Sequence, residues 1–533
     1  MEQDAMQSIG PAQARIEGRD KVTGAARFAA DEPLANLAYA YLVTSTIAHG
    51  RIRKIDTREA LAMRGVLDIL THENVGDQIK PIPGLDGSPT SPTLDSAEVA
   101  HDGQLIAVVV AESYETARAA ANRLAVSYEE KELSAVLDAP GVEIEPAKPM
   151  SGPPPVKGNA AKAFQSAPVQ FEAQYGTPTQ HHNAIELFTT TAVWEDGKLT
   201  IYEPTQFMWG TKAALAKELQ MDPDDIRVVS RFVGGAFGSK GPNTRSAWIA
   251  LAARRLGRPV RMVATRAQGF TTATYRAETR QNVKLGADAD GRLLALVHDG
   301  LELTSRASGY NAAGVDTTAR MYACENIATS VSVVHADRNT PGFMRAPPET
   351  PYMFALESAM DELAHQLGMD PIELRRKNDT QTDPLSGVPF STRAVMSCFD
   401  EGAKRFGWKN RPQPGSKREG DWMIGYGCAM ACYPSNIGPA AIRLTLTSEG
   451  KAIAALAAHE IGNGAYTTVA LTVARLLGIG IEDVSVVLGD SDLPPVMIAG
   501  GSNNAASTAH AATMACEAMR KKLAEAALLE PDS

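Results

Sequence analysis

Apolar and polar positions along this chain group into short runs whose spacing alternates between helix and strand periods, the pattern of a mixed α/β protein. Asp56 is placed to cap a short helix over 56–64 that Gly65 ends, and residues 66–70 follow as a strand. Residues 105–110 form a continuous apolar run of the buried-strand type. Ser113 then caps an Ala-rich helix to about residue 123, and 124–128 returns as a strand. The Pro-rich stretch 140–155, with Ser151-Gly-Pro-Pro-Pro155, reads as a linker. Further helices are predicted over 245–256, stopped by Gly257 and Pro259, and over 353–367, stopped by Gly368.

One pattern occurs twice. Near Thr211 a helical stretch (TKAALAKELQ) leads to the strand-like Asp-Asp-Ile-Arg-Val-Val229 and then to the loop Gly234-Gly-Ala-Phe-Gly238. Near Thr467 a second helical stretch (TTVALTVARLLG) leads to Glu-Asp-Val-Ser-Val-Val487 and then to Gly500-Gly-Ser-Asn-Asn504. A short polar turn precedes each helix, Pro204-Thr-Gln206 in the first and Gly462-Asn-Gly464 in the second. Two such units predict related halves that grip one extended ligand between them, unless helix plus strand simply recurs by chance.

Composition narrows the classes. A chain of 533 residues exceeds one ordinary core and predicts several domains, and 44% hydrophobic with 21% charged residues is a globular balance. Lys and Arg total 52 against 62 Asp and Glu, a net charge of -10 with no dense basic run, which argues against nucleic acid as a partner. No run of about 18 apolar residues predicts a membrane span, and the opening residues lack a signal-like apolar core. The expectation is a cytoplasmic chain, or one exported only with a signal-bearing partner. Five scattered cysteines predict no disulfide framework, and Cys428 with Cys432 lacks further metal ligands nearby.

Several segments carry candidate chemistry. Glycines in Val233-Gly-Gly-Ala-Phe-Gly-Ser-Lys240 let backbone N–H groups approach an anion or polar ring, or simply make a tight turn. The spacing is neither that of a phosphate-binding P-loop nor that of a dinucleotide fingerprint. In Phe343-Met-Arg-Ala-Pro-Pro-Glu349, Arg345 sits in a Pro-stiffened loop, either presenting a planar fork to a phosphate or carboxylate or lying on the surface. His459-Glu-Ile-Gly-Asn-Gly-Ala-Tyr-Thr467 offers backbone donors and the Thr467 hydroxyl to a ligand, or a plain Thr cap. His181 and His182, read in a strand, point to opposite faces and suit ordinary hydrogen-bonding roles.

In their order these motifs resemble the molybdenum-cofactor subunit of the xanthine dehydrogenase and aldehyde oxidase family. The resemblance rests on the Val233–Lys240 loop, Met344-Arg-Ala-Pro347, Glu357-Ser-Ala-Met-Asp-Glu-Leu-Ala364 with Gly368-Met-Asp-Pro371, and Glu460-Ile-Gly-Asn-Gly464. Gly18-Arg-Asp-Lys-Val-Thr-Gly24, Ala48-His-Gly-Arg-Ile52 and the run from His101 resemble the family's a/b hammerhead domain. The resemblance implies an α/β (α+β) fold with a hammerhead domain over 1–139, a linker over 140–160, a molybdopterin-binding domain over 161–400, and a second, incomplete one over 401–533.

It also implies a molybdenum ion held by a pterin dithiolene rather than by protein ligands, with the pterin in its cytosine dinucleotide form. Gln206 matches the glutamine beside the metal's apical oxygen, Gly234, Gly235, Phe237 and Gly238 the first Gly loop, and Arg345 the next cofactor loop. Gly462, Asn463, Gly464 and Thr467 match the pterin-contacting turn, and Gly501, Ser502, Asn503, Asn504 and Ala505 the second Gly loop. Electrons would pass to separate iron–sulfur and FAD subunits. Three departures follow: Asn463 stands for the usual glutamine; Gly241 stands where purine oxidisers carry glutamate, which favours aldehydes or other heterocycles; and no cysteine precedes Arg345, unlike the carbon monoxide dehydrogenase branch. The family's catalytic Glu, in a Gly-Glu-Pro-like segment, has no counterpart here; Glu530-Pro531 lacks the preceding Gly. The expectation is therefore a truncated subunit, inactive alone, or a cofactor scaffold that needs a second polypeptide.

Overall fold

The computed structural model describes residues 13–80, 93–140, 142–148, 152–434 and 436–527. Ser151 and the Glu530-Pro531 pair lie outside them.

A seven-stranded sheet organises the N-terminal half. Its order is Ile226–Val229, Lys198–Tyr202, Thr189–Glu195, Val260–Val263, Ala38–Thr44, Leu105–Ala111 and Val66–Thr71. Ala38–Thr44 pairs in parallel with Val260–Val263, so the N-terminal strands extend the sheet of the following region instead of forming a separate layer. One core crosses that join, with Leu42, Leu70 and Val108 packing among Ile201, Met208, Trp248 and Val260. The apolar run at 105 becomes a fully buried central strand, as a run without polar interruptions requires.

The helix expected over 56–64 is one turn, Arg58–Leu61; Asp56 accepts the Arg58 amide from outside it, and Thr57 is the N-cap residue. Ser113 does cap its helix, Tyr114–Ala121, by accepting the Thr116 amide at 3.1 Å. The predicted linker is not a free tether. Ile144–Pro146 and Val156–Lys157 both pair with Ile327–Ala336, at the edge of a six-stranded sheet whose other strands are Leu293–Ser305, Thr279–Ala287 and Val169–Thr177. An edge strand tolerates proline because the outer row of N–H groups needs no partner.

Helix Glu349–Gln366 packs across this second sheet. It begins four residues before the expected start, because the polar turn residues Glu349 and Thr350 continue the helix ahead of its apolar face. Arg375, fully buried, joins it through Glu357 at 2.9 Å and Asp361 at 2.6 Å.

The duplicated pattern folds twice in the same way. In the first copy, hairpin Thr189–Glu195/Lys198–Tyr202 leads to helix Met208–Leu219, a 3-10 turn Pro223–Asp225, and strand Ile226–Val229 parallel to the second hairpin strand. In the second, hairpin Arg443–Leu446/Ala452–Ala455 leads to helix Ala465–Leu477, a 3-10 turn Ile481–Asp483, and strand Val484–Val487, again parallel. The long helix Asn504–Ala527 packs on the second copy's helix. Among the described residues no helix is long and apolar enough to cross a membrane.

Glu218, on the first-copy helix, is buried and its Oε2 has no hydrogen-bond partner; burial, with Glu203 near it, raises its pKa from 4.5 to about 8. The folded protein thus holds a proton that the unfolded chain releases above pH 4.5, so this group's stabilisation fades between pH 4.5 and about 8. Glu218→Gln should remove that decline and raise stability at pH 8 by up to about 4 kcal/mol. Urea midpoints of both proteins at pH 5 and pH 8 check it.

Candidate cofactor site

The first Gly loop leaves strand Ile226–Val229 and is pinned from behind. The Gly234 amide donates to Glu186 Oε2 at 2.7 Å, and Lys240 Nζ reaches the same oxygen at 2.8 Å and the Glu186 carbonyl at 3.0 Å. The Lys240 side chain is fully enclosed, and desolvation lowers its pKa while the Glu186 carboxylate opposes that shift. Gly238, at φ 117°, is the position where only glycine fits: a Cβ there would stand 2.2 Å from the Phe343 carbonyl oxygen. Close packing of two loops therefore explains this glycine.

Gln206 spans the two halves of the molecule. Its Oε1 accepts the Gly238 amide at 3.0 Å, and its Nε2 donates to the Ala499 carbonyl, just before the second Gly loop, at 2.8 Å. Among the further ties across the seam, the Met208 amide donates to His459 Nε2 at 3.0 Å, and the Val233 amide to the Glu460 carbonyl at 2.9 Å. Between the halves lies a cavity of about 430 Å³ bordered by Gly234, Gly235, Phe237, Glu460, Gly462 and Lys21.

The turn before the second-copy helix differs from expectation. Thr467 does not cap the helix: the buried Glu460 carboxylate accepts the amides of Gly462 at 2.9 Å and Ala465 at 2.6 Å. Thr467 instead donates to Glu17 at 2.7 Å and accepts the Ile16 amide at 3.0 Å. Arg15 donates to the Gly462 carbonyl at 2.9 Å, and Lys21 pairs with Glu460 at 2.9 Å. An N-terminal segment thus latches onto a turn some 440 residues later in the chain, as the separation of 439 between Lys21 and Glu460 records. Sequence reading gave no role to Glu17, Lys21, Glu186, Lys240 or His459, although Lys240 and His459 lay inside segments read for their chemistry and Lys21 inside one quoted for its resemblance.

In the second Gly loop, Gly501 and Ser502 take positive φ values of 61° and 57°, and Asn504 opens the long helix. Asn463 Nδ2 donates to Asn504 Oδ1 at 3.1 Å, so the shorter amide spans the gap to the loop directly. Asn503 Oδ1 and Asn504 Nδ2 are buried without partners. Each such orphan costs about 1–3 kcal/mol unless a ligand satisfies it. Arg345, read either as a fork for an anion or as a surface arginine, is exposed and lies with its guanidinium 4.2 Å over the Phe237 ring. His181 and His182 lie in a loop rather than a strand; His182 Nε2 bonds the Phe343 carbonyl at 2.6 Å, and His181 packs against Phe270.

His459 is buried as an acceptor, and burial lowers its pKa to about 3. The unfolded chain takes up that proton below pH 6.5, so this stabilisation is lost between pH 6.5 and about 3, loosening the seam first at the Met208 amide. We expect His459→Gln to flatten the acid side of the stability curve, measured as thermal midpoint between pH 7 and pH 4.

Two repeated halves, joined by a glutamine and enclosing a polar seam, define the fold of a molybdopterin-binding oxidoreductase. The a/b hammerhead domain of aldehyde oxidase and xanthine dehydrogenase matches residues 23–132, and two molybdopterin cofactor-binding domains match 147–379 and 401–533. The aldehyde oxidoreductase molybdenum-binding subunit PaoC of Escherichia coli is 35% identical over 535 aligned residues, covering 99% of this chain and 72% of that protein. The putative xanthine dehydrogenase molybdenum-binding subunit XdhA of Escherichia coli is 30% identical, covering 90% and 68%. Among solved structures, the aldehyde oxidoreductase of Desulfovibrio gigas superimposes with a TM-score of 0.81 at 27% identity, covering 95% of this chain and 59% of that one. Quinoline 2-oxidoreductase of Pseudomonas putida 86 shares the fold, with a TM-score of 0.85 at 22% identity, covering 99% and 72%. The chain belongs to the xanthine dehydrogenase and aldehyde oxidase family of molybdenum-binding subunits, and is a molybdenum-dependent oxidoreductase of that type. The unpartnered amide atoms of Asn503 and Asn504 beside Asn463 fit a cofactor with polar ring edges.

Proposed function

We propose that the chain is the large subunit of a molybdenum hydroxylase that oxidises an aldehyde or aromatic heterocycle with water as the oxygen donor. Electrons then leave for separate iron–sulfur and FAD subunits. The observation that carries this reading is Gln206, whose one amide bonds the backbone of the first Gly loop and that of Ala499, just ahead of the second, and so stands where the halves meet. Around it, Gly234, Gly235, Phe237, Gly238 and Arg345 would hold the cofactor from the first half. Gly462, Asn463, Gly464, Thr467, Gly501, Ser502, Asn503, Asn504 and Ala505 would hold it from the second. Thr467 acts there through Glu17 and Ile16 rather than by direct contact. The cofactor, in its cytosine dinucleotide form, supplies two-electron redox chemistry and its own metal ligands.

A second reading is a subunit that turns over only with a carboxylate from another polypeptide. It is favoured because Glu460 is committed to Lys21 and the helix amides, while Glu186 is paired with Lys240 through Oε2 and its one unpartnered oxygen, Oε1, is buried. General-base work needs a carboxylate with a free lone pair in reach of the attacking oxygen. Metal, pterin and cytosine nucleotide analysis of the protein purified with its neighbours, together with aldehyde turnover with and without them, tests both. Absence of molybdenum and pterin overturns the first reading, and full turnover by this chain alone overturns the second.

A further inference from the structure

We propose that Arg276 is a positioning residue that shapes the loop carrying Arg345. Its guanidinium has five N–H groups, and each of its three nitrogens is engaged. Nε donates to Gln180 Oε1 at 2.8 Å, Nη1 to the carbonyls of Ala346 and Pro347 at 3.0 Å each, and Nη2 to those of Met344 and Arg345 at 2.8 Å each. Four consecutive carbonyls therefore turn inward onto one buried cation, which is met by peptide dipoles rather than by a carboxylate.

Such convergence is not available to an ordinary extended stretch, where successive carbonyls point to opposite sides of the strand. The backbone takes it by placing two adjacent non-glycine residues at positive φ, Arg345 at 21° and Ala346 at 53°. Conformations of that kind persist only where surrounding contacts enforce them. The same bend brings the Arg345 amide to the Phe237 carbonyl at 3.0 Å and its guanidinium over the Phe237 ring. It also sets the Phe343 carbonyl against Gly238 and His182. Arg276 thus fixes the relation of this loop to the first Gly loop from behind, without reaching the seam cavity itself. Lysine keeps the charge but lacks the planar fork that four carbonyls require.

This inference rests on the proposed role of Arg345 at the cofactor, and its test separates the two. The full chain is produced where the molybdenum cofactor is made, as wild type, Arg276→Lys, Arg345→Lys and the double variant. Pterin content and pterin release rate are measured on each. Hydrogen exchange at the Arg345 amide is measured on the cofactor-free chain. We expect Arg276→Lys to speed release about tenfold, and Arg345→Lys to add less than about twofold in that background although it acts strongly alone. Exchange at the Arg345 amide should rise in Arg276→Lys. Gln180→Met, which removes only the contact to Nε, should give a smaller effect of the same sign and serves if Arg276→Lys does not fold. Unchanged release and exchange in Arg276→Lys, or losses that multiply independently in the double variant, would overturn the role. A wild-type chain without pterin overturns the proposed function instead, and the exchange arm alone then decides the loop.

Discussion

Gly238→Ala is expected to cost the protein its cofactor while leaving most of its helices and strands in place. A Cβ at this position meets the Phe343 carbonyl oxygen at 2.2 Å and its carbon at 2.6 Å, and these backbone atoms have no flexible end to swing aside. The φ of 117° adds strain for any L side chain. Such strain costs about 1–3 kcal/mol, and parting the loops also breaks the Gly238 amide to Gln206 bond, worth about another 1 kcal/mol. A combined loss of about 2–4 kcal/mol concentrated at one seam corresponds to roughly 30- to 1000-fold weaker retention. Gly152→Ala is the control. Its φ of 103° carries the conformational strain, but a Cβ there meets nothing within 4 Å. Pterin content and urea midpoints of the two variants should differ; equal losses would mean that strain alone, not the contact between loops, matters at Gly238.

The contrast between those glycines marks what was legible in the sequence. Elements whose signal is local came through: the apolar run that became Leu105–Ala111, the Ser113 cap, the helix Arg245–Leu256 ended by Gly257, and both copies of the repeat. Period, cap and stop lie within a few residues of one another in each. Partners distant in sequence did not come through. Nothing near Thr467 predicts that its hydroxyl serves Glu17, and nothing near Gly234 predicts that its amide needs Glu186. Burial decides those pairings, because an enclosed donor takes whichever acceptor the fold delivers. The stretch around Pro140 misled for a related reason: an edge strand is as polar and Pro-rich as a tether, and only its pairing with Ile327–Ala336 tells them apart. The motifs singled out Gln206, Arg345 and the two Gly loops, yet the contacts that fix their surroundings, through Lys240, His459 and Arg276, were visible only in three dimensions.

Glu460→Ala is expected to destabilise the second half by about 3–5 kcal/mol, the cost of breaking a buried pair by removing one partner. The carboxylate is almost fully buried, accepts the amides of Gly462 and Ala465 at the start of helix Ala465–Leu477, and holds Lys21 at 2.9 Å. Its removal leaves those amides without their acceptor and leaves Lys21 only its longer ion pair with Glu17, at 3.7 Å. Glu460→Gln, which keeps an acceptor of the same shape, should lose less. Lys21→Met should relieve part of the Glu460→Ala defect, since the double variant removes the cation that had lost its nearer partner. The opened helix end also gains a property that the wild type lacks. With the helix amides unoccupied and Lys21 freed, it becomes an anion site, so inorganic phosphate should raise the thermal midpoint of Glu460→Ala and leave that of the wild type unchanged. A phosphate response of equal size in both proteins would mean that the carboxylate does not hold those donors in solution.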